Sequence, residues 1–146
     1  MQPLFEYEFE VRDYECDLQG IVNNAVYQGY MEHTRHCFIR TLGLDFAELH
    51  QKGIDAVISK IEINYKRPLR SGDRFVCTLD VKKEGLRYVF SQNIYRLPNR
   101  ELCTKGHVEV VSIVNGKLGH AGEIDEALAT FERYRPPNEM WPPEAV

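Results

Sequence analysis

The sequence has no C-x-x-C pair, no surplus of positive charge and no apolar run approaching the length of a membrane span. Its four cysteines, Cys16, Cys37, Cys77 and Cys103, are scattered, so neither a zinc site nor a disulfide framework is indicated and reduced thiols are expected. Eighteen basic against 22 acidic side chains leave a formal charge of -4. That balance argues against a nucleic-acid partner, although a local basic stripe can still hold phosphate. A spanning helix needs about 20 apolar residues in succession, and the opening Met1-Gln2-Pro3-Leu4-Phe5 lacks the basic and apolar regions of a secretory signal. The expectation is a soluble cytoplasmic protein with no membrane span. Internal repeats and low-complexity blocks are also missing.

What is present suits one domain. The chain has 146 residues, 43% of them hydrophobic, and a chain of this length buries roughly two thirds of its unfolded surface. Residues 1–146 therefore read as a single domain, with Pro136, Pro137, Pro142 and Pro143 making 135–146 a Pro-rich tail.

Hydrophobic periodicity divides the domain. Phe5, Tyr7, Phe9 and Val11 alternate with Glu6, Glu8, Glu10 and Arg12, which predicts a half-buried strand with a charged outer face. Val26, Tyr27, Tyr30, Met31, Thr34, Cys37, Phe38, Ile39 and Leu42 recur at helical spacing, with Glu32, Arg35, His36 and Arg40 on the complementary side. They predict one long helix stopped by Gly43. Asp45-Phe46-Ala47-Glu48 has the form of a capping box and starts a short helix running to about Lys52.

Asp55 to Tyr65 predicts a strand with Val57, Ser59, Ile61, Ile63 and Tyr65 on one face and Ala56, Ile58, Lys60, Glu62 and Asn64 on the other. Further strands are expected over Arg74 to Lys83, Arg87 to Arg96 and Glu101 to Val114, with Gly106 a bulge or a point of close approach. After the Asn115-Gly116 turn come a short return strand over Lys117 to Gly119 and a terminal helix over Ile124 to Tyr134. Strands joined by tight turns and one long amphipathic helix imply an α+β fold in which an antiparallel sheet wraps the helix.

The chemistry is placed in Val11 to Tyr27, where a strand ends, the chain turns at Gly20 and a helix begins at Asn23-Asn24. Such a turn offers a carboxylate, Asp17, and unpaired main-chain N–H groups at the positive end of a helix. By residue type alone, a turn or capping role for Asp17 is the commoner one, as N-capping is for Asn23 and Asn24 and core packing for Tyr27. Cys16 has no His nearby, and Glu32 and His36 suit an ordinary i,i+4 pair. A second cluster, Lys66, Arg67 and Arg70 with Lys60 on the preceding strand, can hold phosphate. A solvated strand end explains it as simply.

Taken together, Val11-Arg12, Glu15-Cys16-Asp17, Gly20-Ile21-Val22-Asn23-Asn24, Tyr27, Tyr30, Glu32 and Arg35, followed by Tyr65-Lys66-Arg67-Pro68 and Gly72-Asp73, resemble the hotdog-fold acyl-CoA thioesterases of the 4-hydroxybenzoyl-CoA thioesterase superfamily, in a Tol-Pal-associated branch. The resemblance implies a long central helix wrapped by a five- or six-stranded antiparallel sheet. It also implies a homodimer or dimer of dimers with sites at the subunit interface. Asp17 would be general base or nucleophile, with the N–H groups from Val22 to Asn24 facing the carbonyl oxygen. Gly20, Asn23 and Tyr27 would bound the substrate, the partner's Ile58, Ser59 and Lys60 would line the acyl and pantetheine channel, and Lys60, Lys66 and Arg67 would meet the phosphates.

No metal or organic cofactor is expected beyond the coenzyme A of the substrate, because a general base and oxyanion donors suffice for a thioester. Relatives in that branch often carry His where this chain has Asn24. Acyl-carrier-protein thioesterases share Val22-Asn23-Asn24 and Tyr27, yet their catalytic His and Asn have no counterpart at Ile21 and Gln19. Three alternatives accompany the acyl-CoA reading: a carrier-protein thioesterase, a dehydratase, and a non-catalytic module that binds an acyl-CoA or a protein. The dehydratase normally needs a His beside the Asp.

Overall fold

The computed structural model describes residues 2–132; Tyr134 at the end of the expected terminal helix and the tail at 135–146 lie outside them. Strand β1 (Phe5–Glu10) leads through a 3-10 turn (Asp13–Glu15) into helix α1 (Asn24–Thr41), then helix α2 (Phe46–Gln51). Strands β2 (Ile54–Tyr65), β3 (Arg74–Glu84), β4 (Arg87–Arg96), β5 (Glu101–Val114) and β6 (Lys117–Gly119) follow, and helix α3 (Gly122–Glu132) closes the described chain. No helix among the described residues is long and apolar enough to cross a membrane.

The strands form one six-stranded sheet in the order β1-β3-β4-β5-β2, with β6 on β5 and every pair antiparallel. Only part of this follows from tight turns. The hairpins β3-β4 and β4-β5 are sequential neighbours, but β2 crosses the sheet to pair with β5 and, among the described residues, leaves its other edge free.

Helix α1 starts where Asn23 Oδ1 accepts the Ala25 N–H at 3.0 Å, satisfying one of the orphan donors of the first turn. It ends at Leu42, just before Gly43, whose φ of +79 needs a residue without a Cβ. The face bearing Tyr27, Tyr30, Met31, Phe38 and Ile39 is buried against the sheet. Phe38, 1% exposed, packs its ring on Phe5 and Phe131; burying a side chain of that size contributes about 1.5–3 kcal/mol. Gly106 is a close-approach point and not a bulge, since a Cβ there would sit 2.6 Å from Met31 Cε and 2.9 Å from Gln92 O.

Three expectations need correction. Asp45 caps α2 through the Ala47 N–H, but Glu48 makes no reciprocal bond among the described residues, so half of the capping box forms. In β2 the pairing register shifts between Ile58 and Lys60, and one inserted residue exchanges the two faces of a strand. Ile54 and Ala56 therefore pack on the core before Ser59, and Ile61 and Ile63 after it, while Val57 is 42% exposed. Arg35, read as part of the polar side of α1, is 6% exposed and donates from Nη1 to Gln92 Oε1 at 2.9 Å.

Candidate active site

The loop before α1 is closed by its own main chain. Cys16 and Val22 form an antiparallel bridge, Asp17 N–H donates to Ile21 O at 2.9 Å, and Gly20 N–H returns to Asp17 O at 3.0 Å. Gly20 makes the reversal possible with a φ of +78, a left-handed conformation that a side chain resists. The loop is also tied outward: Tyr30 donates from its phenol to Glu15 Oε1 at 3.0 Å, Ser71 bonds Asp13, and Ile21 bridges Arg70. Burial first, then the Glu15 carboxylate, push the Tyr30 phenol far above its ordinary value, so it remains a donor.

Asp17 sits exposed at the tip. Its Oδ1 accepts the Gln19 N–H at 2.8 Å, an Asx turn that orients the carboxylate, and its Oδ2 has no partner among the described residues. The capping role and a free oxygen therefore coexist.

The expected row of main-chain donors narrows to one. Val22 N–H is taken by Leu69 O at 2.9 Å and Asn23 N–H by Glu15 O at 3.0 Å, so neither is free for an oxyanion. Asn24, the first residue of α1, has an N–H without an acceptor among the described residues, at the positive end of an 18-residue helix.

The other expected binding residues scatter. Asn23 spends its side-chain oxygen on the cap. Tyr27 is 3% exposed and its hydroxyl accepts the Leu69 N–H, so it braces the loop from inside. Arg67 donates to Leu102 O and lies 3.7 Å from Glu101, whereas Lys66 Nζ has no partner among the described residues. Lys60 pairs with Glu62 at 3.2 Å, six strand residues from Lys66, roughly 20 Å. These cations do not form one cluster on a single chain. Ser59, at the bulge, donates to Glu109 O.

A cavity of about 530 Å³ lies at the other end of the molecule, between the second half of α1, the first half of β2, the sheet and α3. Its outer rim includes Glu32, His36, Phe46 and Ile58; Phe38, Val81, Phe90 and Leu128 lie deeper. Burial lowers the His36 imidazole from its ordinary value. Of the expected site residues only Ile58 reaches this cavity. Tyr65, at the far end of β2, donates from its hydroxyl to Asn24 O at 3.1 Å, which fixes the Asp17 end of the molecule there. Ile58 and Tyr65 are seven strand residues apart, roughly 23 Å.

Residues 19–103 match the family model described as the thioesterase superfamily. A chloroplastic acyl-acyl carrier protein thioesterase of Arabidopsis thaliana is 40% identical over 141 residues, which span 88% of this chain and 74% of that relative. The chain belongs to the thioesterase superfamily. A Bacillus subtilis protein named as a candidate acyl-CoA thioesterase is 35% identical over 99 residues, 67% of this chain and 71% of its own. The crystal structure of a 1,4-dihydroxy-2-naphthoyl-CoA thioesterase from Synechocystis superposes with a TM-score of 0.83 at 17% identity, covering 90% of this chain and 98% of that one. That likeness is one of fold, and the fold is the hotdog: an α+β sheet of six antiparallel strands curled around α1.

The superfamily match begins at Gln19, two residues past Asp17, and ends at Cys103, so α1 and the rim of the cavity fall inside it while α3 falls outside. Sequence reasoning missed the cavity because its walls come from seven separated elements. Arg35 carried a signal only in retrospect: it sits one residue after Thr34, itself 0% exposed, on a helix whose buried face is wide.

Proposed function

We propose that this protein hydrolyses acyl-CoA thioesters to a free acid and CoA, acting as a homodimer. The observation that carries the reading is Asp17, presented by a hydrogen-bonded turn with one carboxylate oxygen without a partner among the described residues, on the loop that leads to the Asn24 N–H, which has no acceptor among them. As general base, Asp17 takes a proton from water while the water oxygen attacks the thioester carbonyl carbon. The resulting oxyanion accepts from Asn24 N–H, the C–S bond breaks, and the thiolate recovers the proton. As nucleophile, Asp17 attacks the carbonyl carbon, the C–S bond breaks and the thiolate leaves, and water then opens the mixed anhydride to the free acid. One preorganised donor at the oxyanion is worth roughly 3–4 kcal/mol and a general base roughly 10²- to 10⁴-fold. The reaction asks for no metal or organic cofactor, coenzyme A being part of the substrate.

The placement of β2 supports the dimer in this reading. The carboxylate and the cavity lie at opposite ends of β2, whose outer edge is free among the described residues and exposes Val57, Ile58 and Tyr65. A free, apolar edge strand is a template for pairing. Antiparallel pairing of two β2 edges in full overlap sets Ile54 of one copy opposite Tyr65 of the other. That brings each Asp17 loop towards the cavity of the opposite subunit, with Lys66 at hand for a CoA phosphate. A carrier-protein substrate is the competing reading, favoured by the Arabidopsis relative, since both carriers present the acyl group on phosphopantetheine.

Free-thiol release from a panel of acyl-CoAs and from matching acyl-carrier proteins tests both. Asp17→Asn keeps an acceptor for the Gln19 N–H, so the loop should stay folded while turnover falls at least about 100-fold. Wild-type-like turnover in that variant removes Asp17 from the mechanism, and tight binding without thiol release in the wild type makes the protein a module. A single turnover in ¹⁸O-water separates base from nucleophile, because only a nucleophilic Asp17 acquires label or donates its own oxygen to product.

A further inference from the structure

The cavity runs from an exposed rim to a closed apolar floor, and α3 contributes to the floor. Phe46, Val57 and Ile58 at the rim are 37%, 42% and 48% exposed, whereas Ile124 and Leu128 from α3 are each 6% exposed. The side chains that α3 turns to the floor, Ile124 and Leu128, carry no hydrogen-bonding group, and the buried polar lining beside them is engaged: Tyr88 donates its hydroxyl to Asp125 of α3, and Arg35 donates to Gln92. A hydrocarbon end satisfies such a floor, and a hydroxylated ring would leave its own polar group unpaired there.

We propose that Ile124 and Leu128 of α3 set how long an acyl chain this pocket takes, and that its substrates are unbranched aliphatic acyl thioesters whose methyl end stops against these two side chains. The inference rests on the thioesterase reading above and adds to it the substrate class and the residues that measure it. The geometry suits a ruler. Ala121, Ile124, Leu128 and Phe131 recur at helical spacing on the face that packs against the core cluster, so α3 presents Ile124 and Leu128 as successive steps one turn apart. Its position is fixed by polar side chains other than these two. Lys83 Nζ donates to Asp125 Oδ1 at 2.6 Å and Lys52 Nζ to Glu123 at 3.2 Å, while among the described residues no main-chain hydrogen bond joins α3 to another element. Polar side chains thus hold the helix while its apolar side chains remain exchangeable.

The test is the chain-length profile of kcat/KM for saturated substrates from butanoyl- to hexadecanoyl-CoA, with 4-hydroxybenzoyl-CoA beside them. In the wild type kcat/KM rises about fourfold per methylene until the floor is reached, then falls, and the aromatic ester lies below the aliphatic optimum. Leu128→Ala moves the optimum about two carbons longer and Leu128→Phe about two carbons shorter. Ile124→Val removes one methyl with little risk to folding and moves it in the same direction as Leu128→Ala, by less. An optimum that stays put in Ile124→Val and Leu128→Phe, both melting cooperatively, overturns the proposal, as does a preference for the aromatic ester. Displacement of a bound fluorescent fatty acid by free saturated acids reads the same length scale without thioester cleavage. A wild type that cleaves nothing sinks the hydrolase reading, while a displacement optimum that shifts with residue 128 still supports the ruler; one that does not shift overturns it.

Discussion

The phenol of Tyr30 and the carboxylate of Glu15 meet at 3.0 Å, and through that bond the middle of α1 holds the loop that displays Asp17. Glu15 Oε1 also accepts the Arg12 N–H at 2.8 Å, so one oxygen anchors the loop to both the helix and its own start. Removing the phenol leaves Asp17 chemically intact and free to wander. Tyr30→Phe is expected to lower kcat about ten- to 100-fold with little change in KM, since small misplacements of a reacting group are costly. Steady-state kinetics checks it, and Glu15→Gln, which keeps an acceptor, should retain most of the activity. Equal losses of kcat in both variants, or a loss confined to KM, would contradict a positioning role.

Arg35 makes the second prediction. Its guanidinium is buried with Gln92 Oε1 as its one hydrogen-bond partner among the described residues, and Gln92 in turn donates to Met31 O at 3.0 Å. Cys77, close by, is no counter-ion, because burial pushes its thiol up to about 12. Gln92→Leu strands a buried charge and should cost about 3 kcal/mol in urea unfolding. Arg35→Met, which removes the charge and keeps the volume, should cost less. The double variant should fall well short of the sum, a coupling a double-mutant cycle measures directly. Additive losses would show that the two side chains act independently.

Arg35 also marks the limit of what the chain reveals unaided. Alternation located β1, β3 and β4 within a residue or two, because a half-buried strand writes its period into its side chains, and the turns at Leu97–Arg100 and Asn115-Gly116 located β5 and β6. The same logic failed inside β2, where the bulge at Ser59 exchanges faces without altering the composition on either side. Periodicity likewise placed Arg35 outside, since a charge on a helix reads as solvated until the width of the buried face is known. At the candidate site, Asp17 and Gly20 were legible from turn chemistry. The loss of the Val22 and Asn23 N–H groups to Leu69 and Glu15 was not, because those acceptors depend on long-range placement and local folding together. The distance between Asp17 and the cavity was hidden for a deeper reason: β2 runs between them, and its course across the sheet is set by pairing with β5, far along the chain.

The third prediction concerns the anchor of α3 and its response to acid. Burial pushes the Asp125 carboxyl up, but hydrogen bonds from Lys83 and Tyr88, with the charges of Lys83 and His120, outweigh it and leave the group below its ordinary value of 3.8. A carboxylate depressed by folding binds its proton more weakly in the native state than in the unfolded one. It therefore contributes stability above the unfolded value and loses it as pH falls through the lower folded value. The pair is partly exposed, so its contribution is about 0.5–1 kcal/mol, and a chain of this size changes its melting temperature by about 2–4 °C per kcal/mol. Asp125→Asn, which keeps an acceptor and discards the charge, should melt about 1–4 °C below the wild type near neutrality. That gap should narrow below about pH 4 and close in stronger acid, other carboxylates cancelling because both proteins share them. A gap independent of pH would mean that Asp125 holds α3 by shape alone, and the charge of Lys83 would then be incidental to where the floor of the pocket lies.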